Sequence, residues 1–192
     1  MTDVPHGFRQ VGERRVHEGS VWDVVLADFE APTGERFRRD IVRSPGAVAV
    51  VPIVFDAEGN PSVVLVTQYR PPFDEVVAEI PAGMRDVTGE APSAVARREL
   101  IEEAGLKPGE LELLVEILPS PGMTDSVTSV FMATSCTPTA VDRHGPEEAE
   151  MDVVLQPLEE ALSMVERGEI RDAKTVVGLL MAARRIEAAD HG

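Results

Sequence analysis

The stretch that decides the fold is PAGMRDVTGEAPSAVARRELIEEAGL, from Pro81 to Leu106. Its second half predicts a helix over residues 92–104, because proline suits the first helical position and Gly105 suits the position just past a helix C-terminus. Ala91 would then precede the helix, and alanine is a poor N-terminal cap. The helix therefore has a weak start and a well-marked end.

Three carboxylates crowd the end of this helix. Glu99, Glu102 and Glu103 share one side within about a turn, where they repel one another and face the negative end of the helix dipole. Arg98 offsets this only partly, because it lies four residues before Glu102, the less favourable order. One interpretation is a solvated acidic face. The other, which we favour, is a functional site in which a divalent cation such as magnesium supplies the missing charge.

Apolar runs on both sides of the helix predict a strand-rich domain. GAVAVVPIVF, residues 46–55, is almost continuously apolar, which is typical of a strand buried on both faces. Residues 75–83 predict a short strand that ends in a Pro-Ala-Gly turn. The other predicted elements are strands over 62–70, 111–120 and 126–136, and helices over 157–169 and 173–189.

The N-terminal part, residues 8–45, predicts short, half-polar strands, with TGE at a hairpin turn. The predicted order of elements is strands, a helix, more strands and final helices. This order predicts a mixed α/β fold of the α+β kind, with helices packed on a strand core. We treat the chain as a single structural unit, with an N-terminal strand region over 1–45 and the main domain over 46–192.

The composition narrows the function classes. The chain has 192 residues, 43% of them hydrophobic, and a net charge of -16. No basic stripe is present, so we expect no nucleic-acid partner, and an anionic ligand would need a metal ion or local arginines. No run is long enough to span a membrane and the N-terminus lacks the apolar core of a signal peptide, so we expect no membrane partner.

A single cysteine, Cys136, excludes an internal disulfide framework. We therefore expect a reducing cytoplasm, and a buried structural role for this thiol rather than a nucleophilic one.

The segment that starts at Gly83 resembles the Nudix box, commonly written G-x5-E-x7-R-E-U-x-E-E-x-G-U, where U is apolar. Glu90 fills the first acidic position, and residues 98–106 fill the rest. One residue is extra, because six residues rather than five separate Gly83 from Glu90. Over about residues 15–185 the chain looks like the ADP-ribose pyrophosphatase branch, in which a proline such as Pro121 follows the box.

The resemblance implies a fold and an assembly. The fold is the Nudix fold, a mixed β-sheet sandwiched between α-helices, with the N-terminal antiparallel β-hairpin region beside it. Enzymes of this branch are usually homodimers whose N-terminal strands cross to the partner.

The resemblance also implies a metal site. Glu99 and Glu103 match the principal ligands and hence the catalytic carboxylates. Arg98 would orient the glutamates by ion pairing, and Glu90 would support them or bind the metal occasionally. The full set of implied metal ligands is Glu99, Glu102, Glu103 and the backbone carbonyl of Ala82.

In this branch the catalytic base lies on a late loop, which matches HGPEEAEMD, residues 144–152. We predict Glu148 as the base, with Glu147 and Glu150 as rivals. His144 in the same loop is expected to be a surface residue.

The resemblance implies substrate contacts outside the box. Trp22 would stack on adenine, although a core tryptophan is the open alternative. Arg39 matches a substrate-contacting arginine, and Arg38 would replace it if the register shifts by one. The remaining implied contacts are Arg70 with phosphate, Glu79 in AEIPAG, Gly122 and Met123 in the pocket, and Asp125 at its edge.

These residues predict hydrolysis of the pyrophosphate of ADP-ribose to AMP and ribose 5-phosphate, with Mg²⁺ as cofactor and Mn²⁺ as a possible substitute. The alternative is the same chemistry on another nucleoside diphosphate sugar, such as ADP-glucose or GDP-mannose. A non-catalytic module that binds ADP-ribose is the third hypothesis.

Overall fold

Three strands near the N-terminus form an antiparallel sheet. The computed structural model describes residues 7–141 and 150–190, with only the backbone of Asp190. The predicted TGE turn is confirmed, since Gly34 has a φ of 85° and donates its N–H to the carbonyl of Ala31 at 2.9 Å. The three strands pair in chain order, as β1 (Arg9–Glu18), β2 (Asp23–Glu30) and β3 (Arg36–Arg43).

Contacts divide the chain into two compact units. The residues up to Gly46, together with Ser120–Ser126, make up the first unit. Ala47–Pro119 and the residues from Val127 onward make up the second. The loop from 120 to 126 thus belongs with β1, β2 and β3, to which it is held by a hydrogen bond of 2.9 Å from the Val42 N–H to the carbonyl of Met123.

The second unit contains the predicted helix. Helix α1 spans Pro92–Ala104, as predicted from its flanking residues. The strands are β4 (Ala47–Phe55), β5 (Pro61–Arg70), β6 (Glu75–Glu79), β7 (Ala82–Met84), β8 (Leu106–Lys107), β9 (Glu110–Ile117), β10 (Thr128–Thr134), β11 (Thr137–Pro138) and β12 (Asp152–Pro157). The other two described helices are α2 (Leu158–Glu166) and α3 (Ala173–Asp190).

Seven strands of the described residues form one mixed sheet. Its order is β12-β5-β4-β10-β9, with β6 beside β5 and β7 beside β4. β4 and β10 run parallel, and the other pairs are antiparallel. Strands β8 and β11 form a separate two-stranded ladder.

Strand β4 is apolar throughout because both of its faces are covered. Val48 and Val50 pack in a cluster with Val95 and Leu100 of α1. The alternate residues of β4 pack in a second cluster with residues of α2 and α3. Successive strand residues point to opposite faces, so a strand between two helical layers needs apolar residues at every position. The predicted sheet between helices is confirmed.

Three expectations were wrong in part. The predicted Pro-Ala-Gly turn is instead the start of β7, whose Ala82 and Gly83 pair with β4. Strand β12 was not predicted, because its side chains are largely exposed on both faces and carry no alternation. Cys136 is only half-buried, beside the cluster under α1, and this burial raises the pKa of its thiol.

Along the described part of the chain, no helix combines the length and apolar character needed to cross a bilayer.

Candidate metal and phosphate site

Two of the three crowded glutamates lie on the buried side of α1. Glu99 is 7% exposed and Glu103 is 4% exposed, one turn apart, while Glu102 is half-buried beside them. The helix ends at Gly105, whose left-handed φ of 63° lets its N–H cap the last turn. All of α1 is described, and its last turn carries no basic residue, so the cation that α1 offers these carboxylates is Arg98, one turn earlier.

The backbone of β7 runs directly against these carboxylates. The N–H of Ala82 donates a hydrogen bond of 2.9 Å to Oε2 of Glu103. A Cβ built on Gly83 would overlap all three atoms of the Glu99 carboxyl group. Only glycine lets β7 come this close, so Ala82 and Gly83 form one wall of the carboxylate site.

Arg98 is the cation at the centre of the cluster. Its Nη1 lies 2.8 Å from Oε1 of Glu99 and 3.0 Å from Oε2 of Glu102. Its Nη2 is 3.7 Å from Asp86 and 3.9 Å from Glu90. Burial of the guanidinium opposes its charge, but the surrounding carboxylates, Glu99 foremost, raise the pKa of Arg98. The predicted orienting role of Arg98 is consistent with these contacts.

The residues around α1 have the oxygen atoms that a hard divalent cation binds, but their side chains are not arranged around one metal position. Over residues 7–141 and 150–190, no three His, Cys, Asp or Glu side chains converge on a ready-made metal position. The reason is local, because Glu99 and Glu102 face Arg98 and Oε2 of Glu103 faces an N–H. Buried carboxylates beside a glycine backbone offer the oxygen ligands that such an ion takes. Arg98 and a bound cation would therefore compete for one oxygen each of Glu99 and Glu102.

A second charged cluster joins the end of β5 to the end of β6. Arg70 binds Glu79 in a bidentate pair, with Nε to Oε1 at 2.6 Å and Nη2 to Oε2 at 2.7 Å. Lys174 in the first turn of α3 also donates to Oε2 of Glu79. Burial opposes the charge of Glu79, which is 3% exposed, but Arg70 and Lys174 outweigh it and lower the pKa of this carboxyl.

This second cluster borders an open cavity of about 350 Å³. Its walls are Arg70, Phe73, Glu75, Val77, Glu79, Arg171, Asp172, Ala173 and Lys174. The hydrogen bond to Glu79 is the main cause that raises the pKa of Arg70, and Glu103 contributes through space. The two clusters are therefore close enough to interact electrostatically. Sequence reasoning did not single out Lys174, although it is one of only two lysines in the chain.

In the first unit, Trp22 is at the surface. Its side chain is 53% exposed, so the alternative of a core tryptophan is wrong. Trp22 lines a cavity of about 370 Å³ beside His17 and Val42. Arg39 lies over the ring of Phe37, with its Cζ 4.8 Å from the ring centroid.

Arg38 and Arg39 lie on opposite faces of β3, because successive strand residues alternate. Arg38 is held by Asp28 through bonds of 2.7 and 3.2 Å. The ion pair with Asp28 already uses the Arg38 guanidinium, so a substrate would have to displace it. Arg39 has no carboxylate bonded to its guanidinium among the described contacts, and it remains the better candidate of the two.

The loop after β9 belongs to this unit too. Met123 is 54% exposed, and a Cβ built on Gly122 would meet only open space. Asp125 accepts from the N–H of Ser44 at 3.0 Å and pairs with Arg43 at 2.9 Å. Asp125 therefore anchors the loop to β3, and its predicted place at a pocket edge has no contact to support it.

A comparison with protein families identifies the chain. The NUDIX domain profile matches residues 45–178. The chain belongs to the Nudix family. Nudix hydrolases generally use divalent metal ions. The carboxylates of α1 offer oxygen atoms of the kind that such ions bind.

Curated relatives span most of the chain. An ADP-ribose pyrophosphatase of Bacillus subtilis is 33% identical over 89% of this chain and 90% of its own. An ADP-ribose pyrophosphatase of Mycobacterium tuberculosis is 34% identical over 91% of this chain and 83% of its own. A GDP-mannose pyrophosphatase of Enterobacter is 34% identical over 80% of this chain and 82% of its own.

A solved structure has the same fold. The crystal structure of an ADP compounds hydrolase superposes with a TM-score of 0.81 over 95% of both chains, at 22% identity. This likeness supports the Nudix fold over nearly the whole length.

The extra residue of the Nudix box sits in a turn. The N–H of Glu90 donates to the carbonyl of Val87 at 3.2 Å, and Gly89 has a φ of 83°. A Cβ built on Gly89 would meet nothing within 4 Å, so the turn points outward. The extra residue is thus absorbed before α1 begins, and the helical half of the box keeps its spacing.

The loop predicted to carry the base, with its surface residue His144, lies mostly outside the described residues. Glu147, Glu148 and His144 are among residues 142–149, which the structure does not describe. Glu150 is exposed in the turn before β12.

Proposed function

We propose that the protein hydrolyses the pyrophosphate bond of ADP-ribose and releases AMP and ribose 5-phosphate. The observation that carries this proposal is the pair of buried glutamates, Glu99 and Glu103, held against the backbone of Ala82 and Gly83. Relatives named ADP-ribose pyrophosphatase align over about nine tenths of the chain, which supports the choice of substrate.

In this proposal the carboxylates of Glu99, Glu102 and Glu103 hold the metal with the carbonyl of Ala82. Arg98 and Glu90 keep the carboxylates oriented. The ion is Mg²⁺, with Mn²⁺ as a possible substitute, and when bound it would neutralise the pyrophosphate and activate a water molecule.

The remaining residues act on the substrate and the water. Glu148 takes the proton from the attacking water, with Glu147 and Glu150 as the alternatives. A P–O bond forms to the water oxygen as the bridging P–O bond breaks. Arg70 binds phosphate, because a guanidinium that is already oriented can offer two parallel N–H groups.

We assign the adenosine side to Trp22, Arg39, Gly122 and Met123. An exposed indole offers a stacking surface for adenine, and the guanidinium of Arg39 has no carboxylate partner among its described contacts. Glu79 contributes by holding Arg70.

We further propose a homodimer that works in the cytoplasm. Strand β1 has ten residues and almost all of them are exposed, which leaves a large surface for a partner subunit. A single half-buried cysteine fits a reducing compartment. Light scattering that gives the mass of a monomer at micromolar concentration would rule out the dimer.

The second candidate is another nucleoside diphosphate sugar, because a GDP-mannose pyrophosphatase is also a relative. The carboxylate cluster recognises only metal and pyrophosphate, so it does not distinguish the two. Comparing kcat/KM for ADP-ribose, ADP-glucose and GDP-mannose would decide, and a higher value for GDP-mannose would displace the first candidate.

The direct test is AMP formation from ADP-ribose with Mg²⁺. Glu99→Gln removes one charge from the metal site, so we expect kcat to fall by about a hundredfold or more while the thermal midpoint changes little. Glu166→Gln, in α2, is the control and should be as active as wild type. Full activity of Glu99→Gln would refute the metal-ligand role, and absence of AMP from the wild-type protein would refute the proposed function.

A further inference from the structure

Lys174 reaches the Arg70–Glu79 pair from a helix that begins almost one hundred residues later in the chain. Its side chain is 17% exposed, which is unusual for a lysine. The other lysine, Lys107, is exposed on β8. A buried lysine needs a specific partner to offset the cost of desolvation, and here that partner is Glu79.

We propose that Lys174 is a positioning residue, which holds Glu79 so that Arg70 presents its guanidinium to the substrate phosphate. This inference rests on the proposed function. Glu79 uses both carboxylate oxygens on Nε and Nη2 of Arg70, so the Nη1 edge of the guanidinium is the edge that does not face Glu79. Arg70 lines the adjoining cavity, and in this proposal the substrate phosphate binds Arg70 there.

Competition for Glu79 explains why a second cation is needed. Lys174 adds no net charge to the cluster, because Asp172 balances it as Glu79 balances Arg70. A phosphate that binds Arg70 competes with Glu79 for the guanidinium. Lys174 holds Oε2 of Glu79 independently of Arg70, so Glu79 stays ionised and in place when Arg70 engages phosphate.

The first turn of α3 also holds Lys174 in place. Asp172 lies 3.0 Å from Nζ of Lys174 and also accepts from the N–H and the hydroxyl of Thr175, at 2.9 and 2.6 Å. Asp172 therefore both caps the N-terminus of α3 and restrains the side chain of Lys174.

A second link runs from the same turn to the backbone after Glu79. The hydroxyl of Thr175, fully buried, accepts from the N–H of Ile80 at 2.9 Å. The first turn of α3 thus contacts the segment before Ala82 twice, through the side chain of Glu79 and through the backbone N–H of Ile80. Because Thr175 adds this buried hydrogen bond, the fold itself places Lys174 beside Glu79.

The test compares Lys174→Met with Lys174→Arg, and uses Lys107→Met as the matched control on the other lysine. For Lys174→Met we expect the KM for ADP-ribose to rise about tenfold, while kcat stays within about threefold of wild type. Lys174→Arg keeps the charge and should recover most of the lost affinity. Lys107→Met should leave KM, kcat and the thermal midpoint unchanged.

Two results would overturn the inference. One is an unchanged KM in folded Lys174→Met. The other is an equal defect in Lys174→Met and Lys174→Arg, because the charge would then be irrelevant. If Lys174→Met does not fold, Lys174→Gln takes its place in the same comparison.

If the wild-type protein forms no AMP, the proposed function fails separately. Calorimetric binding of ADP-ribose in the presence of Mg²⁺ then tests Lys174 without catalysis, because no hydrolysis occurs, and an equal Kd for wild type and Lys174→Met would overturn its role.

Discussion

Gly83 is the residue at which the backbone of β7 passes against the carboxyl group of Glu99. Crowded glutamates on α1 could be recognised from the sequence, because their spacing violates the local rules for helix ends. Their burial against β7 could not, since it depends on how α1 docks on the sheet. Lys174 was missed for the same reason, because its partner Glu79 is distant in sequence and helical periodicity does not reveal it.

Replacing Gly83 with alanine tests this close approach. The new Cβ would overlap the Glu99 carboxyl group, which is the flexible end of a side chain and can turn away. We therefore expect Gly83→Ala to fold but to lose about a hundredfold in kcat. The control is Gly12→Ala, where a Cβ would meet only ordinary contacts with Asp28. Wild-type kcat in Gly83→Ala would contradict the geometry of this wall.

At the scale of elements, α1 was predicted to the residue because both ends carry local signals. Pro92 and Gly105 act through backbone geometry, which does not depend on distant parts of the chain. Strands β7 and β12 had no such signal. β7 has three residues and is made by its pairing with β4, and β12 is an exposed strand at the edge of the sheet.

The end of α1 gives a prediction at this scale. Gly105 has a left-handed φ of 63°, and a Cβ there would lie 2.9 Å from Val141 and 3.0 Å from the carbonyl of Thr139. Gly105→Ala should lower the free energy of unfolding by about 1–2 kcal/mol or more. Urea denaturation measures it, with Ser93→Ala at an exposed position of α1 as the control. Equal urea midpoints for Gly105→Ala and wild type would show that alanine adopts this backbone conformation without strain.

For the whole molecule, acidity is the dominant property. A net charge of -16 repels an anionic ligand at long range, so binding of such a ligand requires local cations or a metal ion. The composition predicted this requirement. The family resemblance pointed to Arg70, but nothing in the sequence pointed to Lys174, because it meets Glu79 only in the folded chain.

The response of stability to acid follows from these paired charges. Burial alone would raise the pKa of Glu79, but Arg70 and Lys174 lower it below the value of 4.5 that a free glutamate has. A lowered folded pKa stabilises the protein above that value, and this contribution is lost as the pH falls through the folded value. We expect the midpoint of thermal denaturation to fall as the pH is lowered below about 4.5. In the Glu79→Gln variant this midpoint should depend less on pH. Identical pH profiles for Glu79→Gln and wild type would contradict this account.

The outward turn at Gly89 also matters for recognising other members of the family. A residue gained there costs the fold little, because it enters solvent before the helix begins. Loop length at this point can therefore vary while the helical half of the box keeps its spacing. A pattern search that insists on five residues after the glycine would overlook such proteins, whereas one that lets this interval vary and keeps the helical spacing rigid would retain them.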